Sequence, residues 1–281
     1  MINIDRALIQ GSSILKKNDI QSPRLDSEIL MSKVIKKDRK YIIFNLDKKI
    51  KKSLFYNFID LIKKRSLGKP IAYLIGKKDF WKYEFEISEN VLVPRPDTEL
   101  IVEKVLSLTK NRHKLNILDI GTGSGCILIS ILKEKKGFYG TGLDVSKKCI
   151  DLCKINSIKF KTEGRSKFIK SDIDNFSCGK YDLIISNPPY ISKIDFKYLE
   201  KDITNFEPKL ALIGGIDGLS AVKKVINKSS ELIKKNGKLI LEIGFDQKNK
   251  VIGLLKNKGF YINETLKDFA NNDRCIISTK I

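Results

Sequence analysis

From residue 116 onward, short apolar runs alternate with stretches of helical period, and no other feature of the sequence restricts the fold so strongly. The runs lie at 116–120, 140–143, 168–170, 181–186, 238–243, 260–264 and 275–280, and helical stretches begin near Gly125, Lys147, Leu219 and Asp246. Alternation of this kind predicts an α/β fold with a mostly parallel, doubly wound sheet, whose ligands bind at the carboxyl ends of the strands.

The first part of the chain has a different period. Between Asp5 and about Leu67 apolar residues recur every three or four positions (Ala7, Leu8; Leu25, Ile29, Leu30, Val34; Leu54, Phe55, Phe58, Ile59, Ile62), as in amphipathic helices. Breaks at 18–23 and 45–49 separate them, and Gly68-Lys69-Pro70 ends the last. Phe80, Trp81, Tyr83, Phe85 and Ile87, then Ser88-Glu89-Asn90, then Val91-Leu92-Val93 suggest a strand, a turn and a strand. The expected organisation is a small helical docking domain over 1–75, a β-hairpin linker over 76–96 and the α/β domain over 97–281. Asp97 or Thr98 is the candidate N-cap of a helix reaching about Leu108.

Four segments carry chemistry. Residues 117–125 form an apolar strand running into Gly121-Thr122-Gly123-Ser124-Gly125 and then a helix. Such a turn admits a ligand close to the backbone and aims helix N-terminal amides at it. Cys126 makes the spacing GxGxG instead of GxGxxG, which favours a nucleoside with a short polar tail over a pyrophosphate. Asp144 ends the next strand, about 20 residues on, where a carboxylate can accept both hydroxyls of a ribose. Asp172 and Ile173 end the third strand, either against an adenine ring or as the cap of a following turn.

The sharpest signal is Asn187-Pro188-Pro189-Tyr190, where the apolar strand 182–186 stops in a doubly prolyl, aromatic corner. Two prolines remove backbone donors and stiffen the chain. An NH2 on a planar group can then donate to the Asn187 side-chain oxygen and the Pro188 carbonyl while its plane stacks on Tyr190. Asn187, Pro188 and Tyr190 are the catalytic candidates, and Asn187 to Tyr190 the substrate grip.

These segments resemble the HemK/PrmC family of protein-(glutamine-N5) methyltransferases. The likeness extends to residues 93–99 (Val-Pro-Arg-Pro-Asp-Thr-Glu), Phe206-Glu207-Pro208 with Ala211-Leu212, Gly215-Ile216-Asp217-Gly218, and Leu241-Glu242-Ile243-Gly244. It implies a class I, Rossmann-like methyltransferase fold, S-adenosyl-L-methionine as cofactor, and methyl transfer to the glutamine of a Gly-Gly-Gln motif in peptide-chain release factors. By the same resemblance Gly121 to Gly125, Asp144 and Asn187 hold the cofactor and Asn187 to Tyr190 the glutamine. The tetrapeptide is shared with adenine-N6 methyltransferases, so a DNA or rRNA methyltransferase is the rival reading. A ribosomal protein as glutamine donor and a non-enzymatic, ribosome-docking factor are others.

Composition narrows the chemistry further. His113 is the only histidine and lies in a polar stretch, which excludes Ser-His-Asp hydrolysis and His-rich metal sites. Five cysteines without CxxC pairs support neither zinc nor a disulfide framework, so no metal is expected. No apolar run approaches the roughly 18 residues of a membrane span, and the amino terminus lacks a basic-then-apolar signal; a cytoplasmic monomer is expected. The net charge is +21, and residues 1–80 hold 19 Lys+Arg against 8 Asp+Glu. That surplus fits a basic docking surface, solvated helix faces, or the codon bias that also enriches isoleucine and asparagine. Nucleic acid is not required by the reading.

Overall fold

The structure, a computed structural model, describes residues 2–281 apart from the side chain of Lys201, and divides into two units. The first comprises residues 2–77 together with 200–206. Its helices are α1 (Ile4–Lys17), α2 (Pro23–Ile35), α3 (Arg39–Phe44), α4 (Lys52–Ser66) and the short α5 (Ile71–Ile75), with a two-residue pairing of β1 (Ile2–Asn3) and β2 (Lys49–Ile50). Asn3 caps α1 by accepting from the Arg6 amide at 3.0 Å, and Asp38 caps α3 by accepting from Tyr41. Ile4, Ala7, Leu8 and Leu15 form the inward stripe of α1 and meet Leu30, Met31, Phe58 and Ile62 in one core.

The apolar period misleads in α2. Leu25 is exposed, whereas Asp26 and Glu28 are buried. Their burial is compensated by arginines: Arg24 and Arg39 each donate to Glu28 at 2.8 Å, and Arg65 donates to Asp26 at 2.7 Å. Burial raises the Glu28 pKa, but the two guanidinium groups outweigh it and hold the carboxyl below its ordinary value.

The second unit comprises residues 78–199 and 207–281. At its start, β3 (Lys77–Phe80) pairs with β4 (Tyr83–Glu86) around Trp81 and Lys82, with Trp81 at φ 58°. The hairpin therefore turns earlier than expected, and Val91-Leu92-Val93 is no strand; Val91 and Val93 are buried individually instead. After a 3-10 turn at Pro96–Thr98 come α6 (Glu99–Leu108), β5 (Asn116–Ile120), α7 (Cys126–Glu134), β6 (Tyr139–Asp144), α8 (Lys147–Lys159), β7 (Ser166–Lys170) and β8 (Tyr181–Ser186). The chain then makes α9 (Lys201–Phe206, in the first unit), α10 (Ser220–Leu232), β9 (Ile233–Glu242), α11 (Lys248–Asn257), β10 (Phe260–Lys267) and β11 (Asp273–Lys280). Strands β9 and β10 run longer than their apolar runs, through polar residues that hydrophobicity alone would assign to turns.

The sheet order is β10-β11-β9-β8-β5-β6-β7, with only β11 antiparallel to its neighbours. This is the doubly wound α/β sheet expected from the alternation. The chain leaves β5 outward through β6 and β7, then returns to the other side at β8, so the order reverses between β5 and β8. A crevice opens at such a reversal, beyond the carboxyl ends of the strands. Register makes this edge level: Ile120 lies opposite Leu143 and Ser186, and Ser186 opposite Leu241. The next residues, Gly121, Asp144, Asn187 and Glu242, therefore leave the sheet side by side.

Candidate active site

On the β5–β6 side the backbone does the work. Gly121, Gly123 and Gly125 have φ of 75°, 56° and 79°, the left-handed region that side chains other than glycine's disfavour. The Gly121 and Thr122 amides donate to the Leu143 carbonyl at 2.8 and 3.0 Å, tying the turn to the end of β6. A Cβ at Gly125 would strike Ile129 Cδ1 at 2.8 Å, so this glycine is packed shut. One at Gly121 would meet nothing within 4 Å, and one at Gly123 only Val91 Cγ1 at 3.9 Å, so open space lies over the first two. That opening is the cradle a small ligand needs.

Asp144 borders it. Its carboxylate accepts from the Gly123 amide at 3.0 Å and the Ser146 amide at 2.9 Å, which fixes its rotamer. Burial pushes its pKa up against those bonds. The following helix α8 is capped by Ser146 and not by Asp144: the Ser146 side chain accepts from the Cys149 amide. Thr122 donates to Asp119 Oδ2 at 2.7 Å, and Oδ1 of that fully buried acid has no well-aligned partner among the described residues, although the Leu128 backbone lies near enough to favour its charge. Burial pushes Asp119 up to about 7, with the nearby Asp144 charge adding to it and Thr122 opposing. Ser124 is buried, its hydroxyl near the Cys126 thiol and likewise without a well-aligned partner among the described residues. Its carbonyl accepts from Asn156 Nδ2 at 2.9 Å, and Asn156 also pairs with the Glu86 backbone, bracing the turn against the hairpin. Asp172 is exposed and caps a 3-10 turn by accepting from the Asp174 amide, the cap alternative of its two readings. Ile173 is half-buried, packed on the core between the sheet and α10.

On the β8 side side chains do the work. Asn187 Nδ2 donates to Thr98 Oγ1 at 3.1 Å. No described residue donates to Asn187 Oδ1 or to the Pro188 carbonyl, so both acceptors of the expected grip are available. The Tyr190 hydroxyl donates to Glu242 Oε1 at 3.3 Å, and its carbonyl accepts from Gln247 Nε2 at 2.9 Å. Gly218, at φ 71°, passes so close that a Cβ there would lie 2.4 Å from the Tyr190 carbonyl oxygen. Arg274 reaches the Tyr190 hydroxyl at 3.5 Å while paired with Asp268 at 2.8 Å. Arg95 pairs with buried Glu207 at 2.5 Å. Burial, then the Glu242 charge, push the Tyr190 phenol well above its ordinary value. Burial also raises the Glu242 carboxyl, to about 7, against Thr98, Arg274 and Tyr190.

Known proteins match this chain from end to end. Residues 6–76 match the family described as PrmC N-terminal domain, and residues 96–204 the Methyltransferase small domain. The "Release factor glutamine methyltransferase" of Clostridium acetobutylicum is 36% identical over 282 residues, spanning 99% of both chains. The chain belongs to the release factor glutamine methyltransferase family. Its relative of that name in Buchnera aphidicola subsp. Schizaphis graminum is 37% identical over 268 residues, 95% of this chain and 96% of that one. Among solved structures, a methyltransferase from Pyrococcus furiosus superposes with a TM-score of 0.52 at 18% identity, covering 70% of this chain and 88% of that one; it shows the fold. The resemblance drawn from the motifs and the class I methyltransferase fold are thus borne out. No helix among the described residues is long and apolar enough to cross a membrane.

For this family member, sequence reasoning brought together Gly121 to Gly125, Asp144 and Asn187 to Tyr190, which share the edge of the sheet. It missed Thr98 as the partner of Asn187, and Glu242, Gln247 and Arg274 around Tyr190. Glu242 had a readable signal, an acid ending the apolar run Leu239-Ile240-Leu241. Arg274 had none, because only the antiparallel return of β11 carries it there. His113 is exposed and takes no part in either side of the site.

Proposed function

We infer that the chain transfers a methyl group from S-adenosyl-L-methionine to the side-chain amide nitrogen of the glutamine in the Gly-Gly-Gln motif of peptide-chain release factors. The observation that carries this is 36% identity, over 99% of both chains, to a release factor glutamine methyltransferase, combined with a corner that leaves two acceptors free beside a half-buried tyrosine. Open space over Gly121 and Gly123, with the buried Ser124 hydroxyl and Asp119 Oδ1 lacking well-aligned partners among the described residues, fits a compact polar cofactor. Gly121 to Gly125 and Asp144 would hold it, with Asp172 and Ile173 towards its base and Asn187 towards its reacting end. Bound there, it supplies an electrophilic methyl group on a sulfonium.

The protein's part is orientation. An amide nitrogen is a poor nucleophile because its lone pair is delocalised into the carbonyl. Asn187 Oδ1 and the Pro188 carbonyl accept its two hydrogens, and the Tyr190 ring and Pro189 fix the amide plane, so the lone pair is aimed in line. Positive charge growing on nitrogen is met by the same two oxygens. As the N–C bond forms and the methyl carbon parts from sulfur, which keeps the bonding pair, the N–H becomes acidic and its proton leaves for solvent. A strong base is unnecessary, in keeping with a corner that contains no histidine.

The basic helical unit serves as the docking surface for the release factor. The reaction, in the cytoplasm, needs one copy of the chain and no nucleic acid. Incubation with methyl-labelled cofactor, separately with a release factor and with DNA or rRNA, tests the substrate. Label in the release factor is expected, and label confined to nucleic acid would contradict the reading.

A further inference from the structure

Gripping an NH2 requires Asn187 to face it with oxygen, yet an asparagine side chain can sit either way round with nearly the same shape. Something must fix the choice. Asn187 Nδ2 donates to Thr98 Oγ1 at 3.1 Å, and that hydroxyl keeps one proton of its own to place. Beside it lies Glu242, 2% exposed, whose Oε2 has no well-aligned partner among the described residues and whose charge the Thr98 hydroxyl helps to stabilise. The other oxygen, Oε1, accepts from the Tyr190 hydroxyl at 3.3 Å. Arg274 can only donate, so its approach to the Tyr190 oxygen at 3.5 Å leaves the phenolic proton directed at Glu242.

We propose that Glu242 is a positioning residue that sets the polarity of the substrate grip, fixing Asn187 through the Thr98 hydroxyl and Tyr190 through its phenol. An ionised carboxylate has no proton to give, so both hydroxyls must point at it. Thr98 then offers Asn187 only an acceptor, Asn187 must present its NH2 there, and Oδ1 is left for the substrate. A single buried acid thereby orients both halves of the grip without touching the substrate. The proposal rests on the methyl-transfer reading for which amide is gripped, but not for how Asn187 is held.

Two variants of nearly unchanged shape test it. In Glu242→Gln the carboxamide can donate to Thr98, which then donates to Asn187 and turns its NH2 towards the substrate. In Thr98→Val the link is cut, and Thr98→Ser restores it. With a release factor as substrate, Glu242→Gln and Thr98→Val should each lower kcat roughly 10- to 100-fold, the size of effect that misplacing a reacting group produces. Cofactor Kd should stay within about twofold, and the double variant should be no slower than the slower single one, because the residues act as one chain. The Asn187 side-chain amide resonance, identified by its loss in Asn187→Ala, should shift in both variants and return in Thr98→Ser. Unchanged kcat in Glu242→Gln, additive losses in the double variant, or an unmoved resonance would each overturn the proposal. The resonance is read without substrate, so failure of the unaltered protein to methylate any release factor would count against the substrate reading alone.

Discussion

The two halves of the crevice are built by different means. The cradle after β5 and β6 is held by bonds to backbone amides within about one strand–helix–strand unit, Gly121 and Thr122 donating to the Leu143 carbonyl and Gly123 to the Asp144 carboxylate, 21 residues on. The corner after β8 is held by side chains from Thr98, Glu242, Gln247 and Arg274, which lie as much as 89 residues away from it in sequence. Each half also contains a buried acid raised to about 7, Asp119 in one and Glu242 in the other. A backbone cradle can be specified by spacing alone and tolerates change around it. A side-chain scaffold gives finer control over orientation and is correspondingly easy to break.

If that contrast holds, damage to the corner should appear in kcat and damage to the cradle in cofactor affinity. The largest effect is expected for Asn187→Ala, a loss of roughly 100- to 1,000-fold in kcat, as for removal of a group that meets transition-state charge. Cofactor binding, followed by calorimetry, should weaken only slightly; near-normal turnover would remove Asn187 from the grip. Asp144→Ala should do the reverse and raise cofactor Kd roughly 10- to 100-fold, the worth of hydrogen bonds to a charged acceptor. Its kcat at saturating cofactor should be nearly intact. A fall in kcat with unchanged Kd would erase the division of labour.

Gly218→Ala should be milder. The residue is at φ 71°, and the added methyl would press on the Tyr190 carbonyl and Gln247, costing about 1–3 kcal/mol. Thermal melting should register that loss, and KM for the release factor should rise while cofactor Kd does not. Unaltered KM would mean that the loop at 214–218 does not shape the corner.

The smallest effect concerns pH. Glu242 is faced by Thr98 and Asp97 from the turn before α6, by Tyr190, and by Arg274 and Cys275 of β11. Because the ionised form orders the grip, kcat should fall as pH drops through about 7, and Glu242→Gln should flatten that limb. Stability runs the other way. A carboxyl raised on folding favours the folded state below its unfolded pKa, and that contribution is lost as pH rises through about 7. Melting temperature should therefore decline from about pH 5 to pH 8, less steeply in Glu242→Gln. A kcat profile unchanged by the substitution would separate Glu242 from catalysis.

What the sequence revealed follows the same division. The alternation of strands and helices, the glycine turn, Asp144 and the tetrapeptide were legible because each is local: period, spacing and strand ends lie within a few residues. The partners of Asn187 and Tyr190 were not, because register between β8, β9 and β11 brings Glu242 and Arg274 to the corner, and lateral pairing leaves no mark on linear spacing. Leu25 and Asp26 show a second limit: arginines from other helices make buried acids tolerable, so period alone misassigned the inner face of α2. Val91 to Val93 read as a strand because apolar, largely β-branched residues suggest pairing, whereas the segment is irregular and buries Val91 and Val93 from outside any strand.

The most direct test of the account is fragment mass spectrometry of a release factor after incubation with the protein and S-adenosyl-L-methionine. The account predicts one added methyl group on the side-chain nitrogen of the Gly-Gly-Gln glutamine with the unaltered chain, and none with Asn187→Ala. An unmodified glutamine from a chain that binds the cofactor normally, or a methyl group found on another residue, would contradict it.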